Sequence, residues 1–285
     1  MQKKPLVGFI GQGYIGKNYA DDFEQRGFKV VRYALEAPYR GNKDRIKECD
    51  IVFIAVPTPT TPKGFDASIV RESMGLVGKG KIAVVKSTVI PGTTRDLQRR
   101  NPKIIVFNSP EFLTEKTASH DAAHPPMNII GMVQNTPALR ATAKKVLGVL
   151  PKAPLTLACR SEEAELIKYA HNTLSYTKLV FVNILYDLSR KLGADWDVVQ
   201  KALKADPMVA TPLNYHLAPV HKSGRGAGGH CFIKDFAALK ALYGGTISDA
   251  EGNAVFSALE RKNISLLRSS KKDLDLVRGV YGRSR

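Results

Sequence analysis

The stretch Gly11-Gln12-Gly13-Tyr14-Ile15-Gly16 follows a short apolar run at 6–10 and opens a segment of helical period at 14–26. Three glycines at this spacing, between a strand and a helix, let the backbone turn tightly beneath a pyrophosphate. The first N–H groups and the dipole of the helix then face the phosphates. Gly11, Gly13 and Gly16, with Tyr14 and Ile15 between them, are expected to cradle a dinucleotide; the competing reading is a tight turn without a ligand. About 20 residues further on, an acidic side chain ordinarily holds the ribose hydroxyls. Ala34 stands there, with Glu36 two residues later and Arg32 and Arg40 nearby. Glu36 in the ribose role points to NAD, while Arg32 or Arg40 meeting a 2′-phosphate leaves NADP open.

Working outward, apolar runs at 29–33, 51–55, 82–86, 104–107, 128–131 and 155–158 alternate with helical segments at 66–78, 93–100 and 137–149. This alternation predicts βαβ units and a parallel sheet buried on both faces, an α/β doubly wound domain over residues 1–160. After Arg160 no Pro or Gly interrupts until Gly193, which predicts a connecting helix about 46 Å long. Asp195 reads as the N-cap of a helix at 196–204. An irregular stretch at 206–230 and helices at 233–243 and 248–270 complete an all-helical second domain over 161–285.

The chain of 285 residues is 44% hydrophobic, enough to bury two cores. No run approaches the roughly 20 apolar residues of a membrane span, and no cleavage-site pattern follows Met1, so a cytoplasmic protein is expected. Cys49, Cys159 and Cys231 are too few and too scattered for a disulfide framework or a thiolate metal site; Cys49 and Cys159 read as small packing residues. The net charge of +17 favours phosphorylated partners, and nucleic acid is the less favoured of these. Part of it lies beyond residue 259, where Arg261, Lys262, Arg268, Lys271, Lys272, Arg278, Arg283 and Arg285 outnumber three acidic residues. The plain expectation there is a solvated helix and a frayed tail.

Three pairs stand four residues apart: Glu111 and Glu115, Lys168 and Asn172, Cys231 and Asp235. On a helix each pair shares a face. Cys231 carries the most information, because it follows Gly224-Arg225-Gly226-Ala227-Gly228-Gly229-His230 and precedes Phe232-Ile233-Lys234-Asp235. A thiol between a glycine-rich loop and a helix start has accessible surroundings, and the helix dipole and Lys234 act to lower its pKa. A nucleophile and a packing residue are both open on this ground alone.

Six ordered motifs resemble the UDP-glucose/GDP-mannose dehydrogenase family: the glycine turn; Val56-Pro57-Thr58-Pro59; Lys86-Ser87-Thr88-Val89 with Pro91-Gly92-Thr93-Thr94; Ser109-Pro110-Glu111-Phe112-Leu113; the run from Ala164 to Asn172; and Gly228-Gly229-His230-Cys231-Phe232-Ile233-Lys234-Asp235. The resemblance implies a homodimer that oxidises a sugar-nucleotide primary alcohol to the carboxylate with two NAD molecules in turn. It makes Cys231 the nucleophile of a thiohemiacetal and thioester, and sets Lys168 and Asn172 beside the reacting oxygen. Asp235 and Glu115 handle protons through water held by Thr88, and Glu111 supports hydrolysis. Val56, Pro57, Thr58, Ser87 and Thr88 fall to the cofactor. Phe112, Leu113, Gly228 and Gly229 fall to the substrate.

The sequence departs from the family in its shortened segment before Asp50, in Ala34, and in Asp206-Pro207-Met208 where the pattern is Asp-x-Arg, a loss for which Arg225 is the candidate substitute. The family also continues into a third, nucleotide-binding domain, and the expectation is a short form without it. Two rival readings stand: a two-electron β-hydroxyacid-type dehydrogenase using Lys168 and Asn172, and a non-catalytic dinucleotide- or nucleic-acid-binding protein.

Overall fold

The apolar run ahead of the glycine turn forms β1 (Val7–Ile10), buried along its whole length. The computed structural model describes residues 4–209, 215–221 and 224–282. Its contacts divide the chain into two units, Met1–Pro59 with Asp66–Lys168, and Thr60–Phe65 with Tyr169–Arg285.

In chain order β1 leads to α1 (Tyr14–Gln25), β2 (Val30–Tyr33), β3 (Ile51–Ile54), a hairpin of β4 (Thr60–Thr61) and β5 (Gly64–Phe65), α2 (Ser68–Met74) and β6 (Ile82–Val85). Then follow α3 (Thr93–Arg100), β7 (Ile105–Asn108), α4 (Ala118–Ala123), β8 (Met127–Met132), α5 (Pro137–Val149), β9 (Leu155–Arg160) and the long α6 (Ser161–Lys191). The strands of the first unit form one sheet in the order β2-β1-β3-β6-β7-β8-β9. The rings of Phe9, Phe23 and Phe53, with centroids 5.1 to 5.4 Å apart, fill the space under α1, Phe9 stacked on Phe53 and edge-on to Phe23. Cys49 packs as expected, so close to Gly8 that a Cβ there would stand 3.0 Å from its sulfur.

The sheet is mixed rather than wholly parallel. β8 runs antiparallel to β7 and parallel to β9. A parallel neighbour needs the chain to cross back over the sheet, usually by a helix. Between β7 and β8 there is only a loop with the six-residue α4, which packs on α1. The chain therefore stays at the carboxyl end of β7, the edge at which such sheets bind ligands. Glu111 and Glu115 lie on this connection, in irregular backbone; their spacing of four does not place them on a helix face.

The second unit continues α6 into α7 (Trp196–Ala205), a two-residue hairpin of β10 (Val220–His221) and β11 (Gly224–Arg225), α8 (Gly229–Thr246), α9 (Ala250–Ser269) and α10 (Leu274–Tyr281). Asp195 caps α7 by accepting the Asp197 N–H at 2.9 Å. α8 begins four residues before the expected start, so Cys231 lies inside its first turn. The basic end of the chain is also more than a solvated helix. Val277 of α10 is buried against Ile233, Ile264 and Leu267, and Arg283 and Arg285 lie outside the described residues. So do parts of the stretch 206–230. No described helix is long and apolar enough to cross a membrane.

Candidate active site

The three glycines of the turn are required for three different reasons. Gly11 has φ +89, and a Cβ on it would meet the Ala55 carbonyl oxygen at 2.2 Å. Gly16 brings α1 against β1, where a Cβ would sit 1.9 Å from the Gly11 oxygen. A Cβ on Gly13 meets nothing within 4 Å. Gly13 is also the N-cap of α1 and supplies no capping side chain, so the first N–H groups of the helix face open space over a backbone without a Cβ. That is the cradle a pyrophosphate fits.

Beyond β2 the two arginines that left NADP open part company. Arg32 is buried, with its guanidinium 2.7 Å from Asp21 and 2.6 Å from Glu24, and the two carboxylates raise its pKa further. It is committed to α1 and is not available to a 2′-phosphate. Glu36 is exposed in the turn after β2, and its carbonyl accepts the N–H groups of Tyr39 and Arg40.

At the carboxyl edge the hydroxyls assigned to the cofactor brace the sheet. Ser87 Oγ accepts the Val56 N–H at 2.9 Å and donates to the Val56 carbonyl at 2.7 Å. Thr58 Oγ1 donates to the Thr88 carbonyl at 2.7 Å. These bonds lace the end of β3 to the end of β6 and fix the floor on which Val56, Pro57 and Thr88 stand.

Glu111 and Lys168 form a buried ion pair, Oε1 to Nζ 3.0 Å, with side chains 5% and 6% exposed. The other Glu111 oxygen accepts the Leu113 N–H at 2.7 Å. The Lys168 ammonium stands 5.3 Å from the centre of the Phe112 ring. Leu113 is partly buried against the apolar core, and Glu115 is exposed.

Sequence reading missed Lys86. It is fully buried, with Nζ 3.4 Å from Ser109 Oγ, 3.3 Å from the Pro110 carbonyl and 4.3 Å from the Tyr19 ring centre. It thus holds the chain that leads into Glu111. The available signal was a lysine closing the apolar run Ile82-Ala83-Val84-Val85. Burial pushes its pKa down to about 7, against the pull of the Glu111 carboxylate and with the repulsion of Lys168. A folded value below the unfolded 10.5 means that the unfolded chain binds more protons between pH 7 and 10.5, so stability rises with pH across that window. Lys86→Met removes a burial penalty on the order of 5 kcal/mol below pH 7. Its expected advantage over wild type in urea unfolding is large at pH 6.5 and shrinks by pH 10. An advantage independent of pH contradicts this account.

In the second unit Asn172 and Asp235 are buried together. Asn172 Nδ2 donates to Asp235 Oδ2 at 2.6 Å, and Lys234 Nζ holds Oδ1 at 2.6 Å. Asp235 is fully buried, and both of its oxygens are engaged. These two bonds tie the Asn172 amide and the Lys234 ammonium to one carboxylate. One turn nearer the helix start, Cys231 is exposed. A thiol at this position lies in the positive end of the helix dipole. Because Lys168 and Asn172 share a face of α6, the helix sets their Cβ separation at about 6 Å.

Arg225, the candidate substitute arginine, is engaged within its own chain. Its Nε donates to Asn183 Oδ1 at 2.9 Å, one terminal nitrogen reaches Asp187 at 2.8 Å, and the guanidinium lies 5.4 Å from the Tyr186 ring centre. Met208 is almost wholly exposed. The glycines of the loop before Cys231 also serve packing. Cβ atoms on Gly224, Gly226 and Gly228 would meet Lys272 at 2.6 Å, Asn263 at 2.8 Å and Asp273 at 2.1 Å, while Gly229 needs its φ of +82.

Comparison with known proteins agrees with this geometry. Residues 39–147 match the NAD binding domain of the UDP-glucose/GDP-mannose dehydrogenase family, and residues 162–256 match its central domain. UDP-glucose 6-dehydrogenase of Rickettsia typhi is 32% identical over 83% of this chain and 60% of its own length. The solved UDP-glucose dehydrogenase of Pyrobaculum islandicum superposes with a TM-score of 0.78 at 26% identity, over 93% of this chain and 69% of that one. A 3-hydroxyisobutyrate dehydrogenase of Mycobacterium tuberculosis shares the fold, with a TM-score of 0.73 at 14% identity over 98% and 99% of the two chains. This chain spans about half to two thirds of the length of the first curated relatives it matches. The two matches follow one another in chain order, and the chain belongs to the UDP-glucose/GDP-mannose dehydrogenase family, with NAD as its cofactor.

Proposed function

We propose that the chain oxidises the primary alcohol of a sugar nucleotide to a carboxylate in two hydride transfers, with Cys231 as the nucleophile. The observation that carries this reading is an exposed thiol in the first turn of α8, one turn above the buried Asp235 and Asn172 and the half-buried Lys234 that pairs with Asp235. Bound NAD supplies the hydride acceptor, one molecule for each oxidation.

In this scheme the alcohol first loses a hydride and a proton to give an aldehyde. Cys231 adds to the carbonyl carbon as its thiol proton leaves, and the oxygen becomes the hydroxyl of a thiohemiacetal. Loss of the second hydride and of the hydroxyl proton gives a thioester. Water then cleaves the bond between sulfur and the acyl carbon, releasing the carboxylate and restoring the thiol. Lys168 and the Asn172 amide donate to the oxygen that gathers negative charge at each addition. Glu111 holds Lys168 in place, and Asp235 fixes the orientation of the Asn172 amide. The chain is taken to act as a homodimer, in support of which α6 exposes Leu174, Phe181, Ile184 and Leu188 along its length.

The test is stoichiometric. With UDP-glucose or GDP-mannose as substrate, two NADH are expected for each molecule consumed and no aldehyde accumulates. One NADH with free aldehyde as product removes the thiol stage and leaves a two-electron dehydrogenase built on Lys168 and Asn172.

A further inference from the structure

The loop before Cys231 is held along its length by one distant segment of the chain. Asn263 accepts the Ala227 N–H at 2.7 Å and donates to its carbonyl at 3.0 Å. Ser270 Oγ accepts the Arg225 N–H at 2.9 Å, and Lys272 Nζ reaches the Gly226 carbonyl at 3.1 Å. At the loop's end Gly228 is the N-cap of α8 and has no side chain to offer. Asp273 Oδ2 supplies the cap by accepting the Gly229 N–H at 2.7 Å. The turn that presents Lys272 and Asp273 has two non-glycine residues in the left-handed region, Lys271 at φ +54 and Asp273 at φ +51. Side chains resist that conformation, and residues persist in it where the surroundings force them to.

We propose that the α9–α10 turn is a clamp on the nucleophile loop and that Asp273 is a positioning residue that sets the reactivity of Cys231. A helix N-terminus favours a thiolate in its first turn. Asp273 places a carboxylate at that same end of α8, so it orders the loop while opposing ionisation of the thiol two residues on. Lys272, on the same turn, acts with the opposite sign. The inference rests on the reading of Cys231 as nucleophile for its meaning in catalysis, but its test does not need turnover.

The experiment is the pH profile of Cys231 alkylation by iodoacetamide on the full chain, read by peptide mass spectrometry. Burial holds the thiols of Cys49 and Cys159 up to about 11, so labelling between pH 6 and 9 reports Cys231. Other ionisable groups on α8 and the elements around it include His230, Lys234, Asp235, Lys240, Lys63, His171, Glu260, Arg261, Arg268, Asp275 and Arg278, and the two substitutions leave all of them in place. Asp273→Asn keeps an oxygen for the Gly229 N–H and suits a left-handed residue. It is expected to lower the alkylation midpoint by about half a unit, labelling roughly threefold faster at pH 7. Lys272→Gln is expected to raise the midpoint by a similar amount. Loosening of the loop by either change would move both midpoints in one direction; that outcome, or an unmoved midpoint in Asp273→Asn, overturns the proposal. Unimpaired sugar oxidation by a chain lacking the Cys231 thiol instead overturns the catalytic reading and leaves the clamp standing.

Discussion

Cys231→Ser is expected to bind NAD as wild type does and to lose sugar oxidation on the order of 10³-fold or more. The serine hydroxyl is isosteric and the position is exposed, so the fold should be unchanged within about 0.5 kcal/mol. The cofactor cradle lies at Gly11–Gly16, in the other unit. What disappears is the ionisable sulfur: a serine hydroxyl is a far weaker nucleophile at neutral pH than a thiol poised at a helix N-terminus. The aldehyde then has no covalent partner, and the reaction stops after one hydride. Stopped-flow absorbance should show at most one NADH per active site, with steady-state turnover nearly gone. Full turnover in this variant would assign the chemistry to Lys168 and Asn172 alone.

Gly16→Ala and Gly13→Ala should separate folding from binding in the same turn. At Gly16 the new methyl would fall 1.9 Å from the Gly11 oxygen, a backbone atom with no freedom to rotate away. α1 has to lift from β1, opening the packing beneath it around Phe9 and Phe23. The expected loss is more than about 3 kcal/mol, read as an early urea transition. At Gly13 the methyl meets nothing, and φ of −71 suits any residue. Gly13→Ala should keep wild-type stability and weaken NAD by on the order of 10- to 100-fold in calorimetry, because the methyl takes the space of the pyrophosphate. Equal destabilisation of the two variants would show that the turn is only a packing device.

How far these positions could be read from sequence followed the range of the interactions that fix them. Gly11, Gly13 and Gly16 are set by a local turn, and the strands around them by runs of buried β-branched and aromatic residues; Asp195 is set by a cap two residues away. All of these were legible. The antiparallel entry of β8 depends on where residues 109–126 travel, and periodicity is silent about that. A linear chain marks Lys86 at the end of an apolar run and Arg225 in a glycine-rich loop but does not show their partners, and only the fold shows one buried under Tyr19 and the other tied to Asn183. The loop glycines were visible, but their reason was not. Gly228 and Gly229 fall to the substrate by resemblance, and the packing role of Gly224, Gly226 and Gly228 against Lys272, Asn263 and Asp273 shows only in the fold.

That last arrangement has a consequence for how the sequence can drift over generations. Each of Gly224, Gly226 and Gly228 is matched to a different residue between 263 and 273, so a side chain added on one strand of the bargain needs a smaller one on the other. Gly228 and Asp273, 45 positions apart, should be inherited as a couple: lineages that replace one should replace both, and the catalytic loop changes only as fast as the turn that grips it.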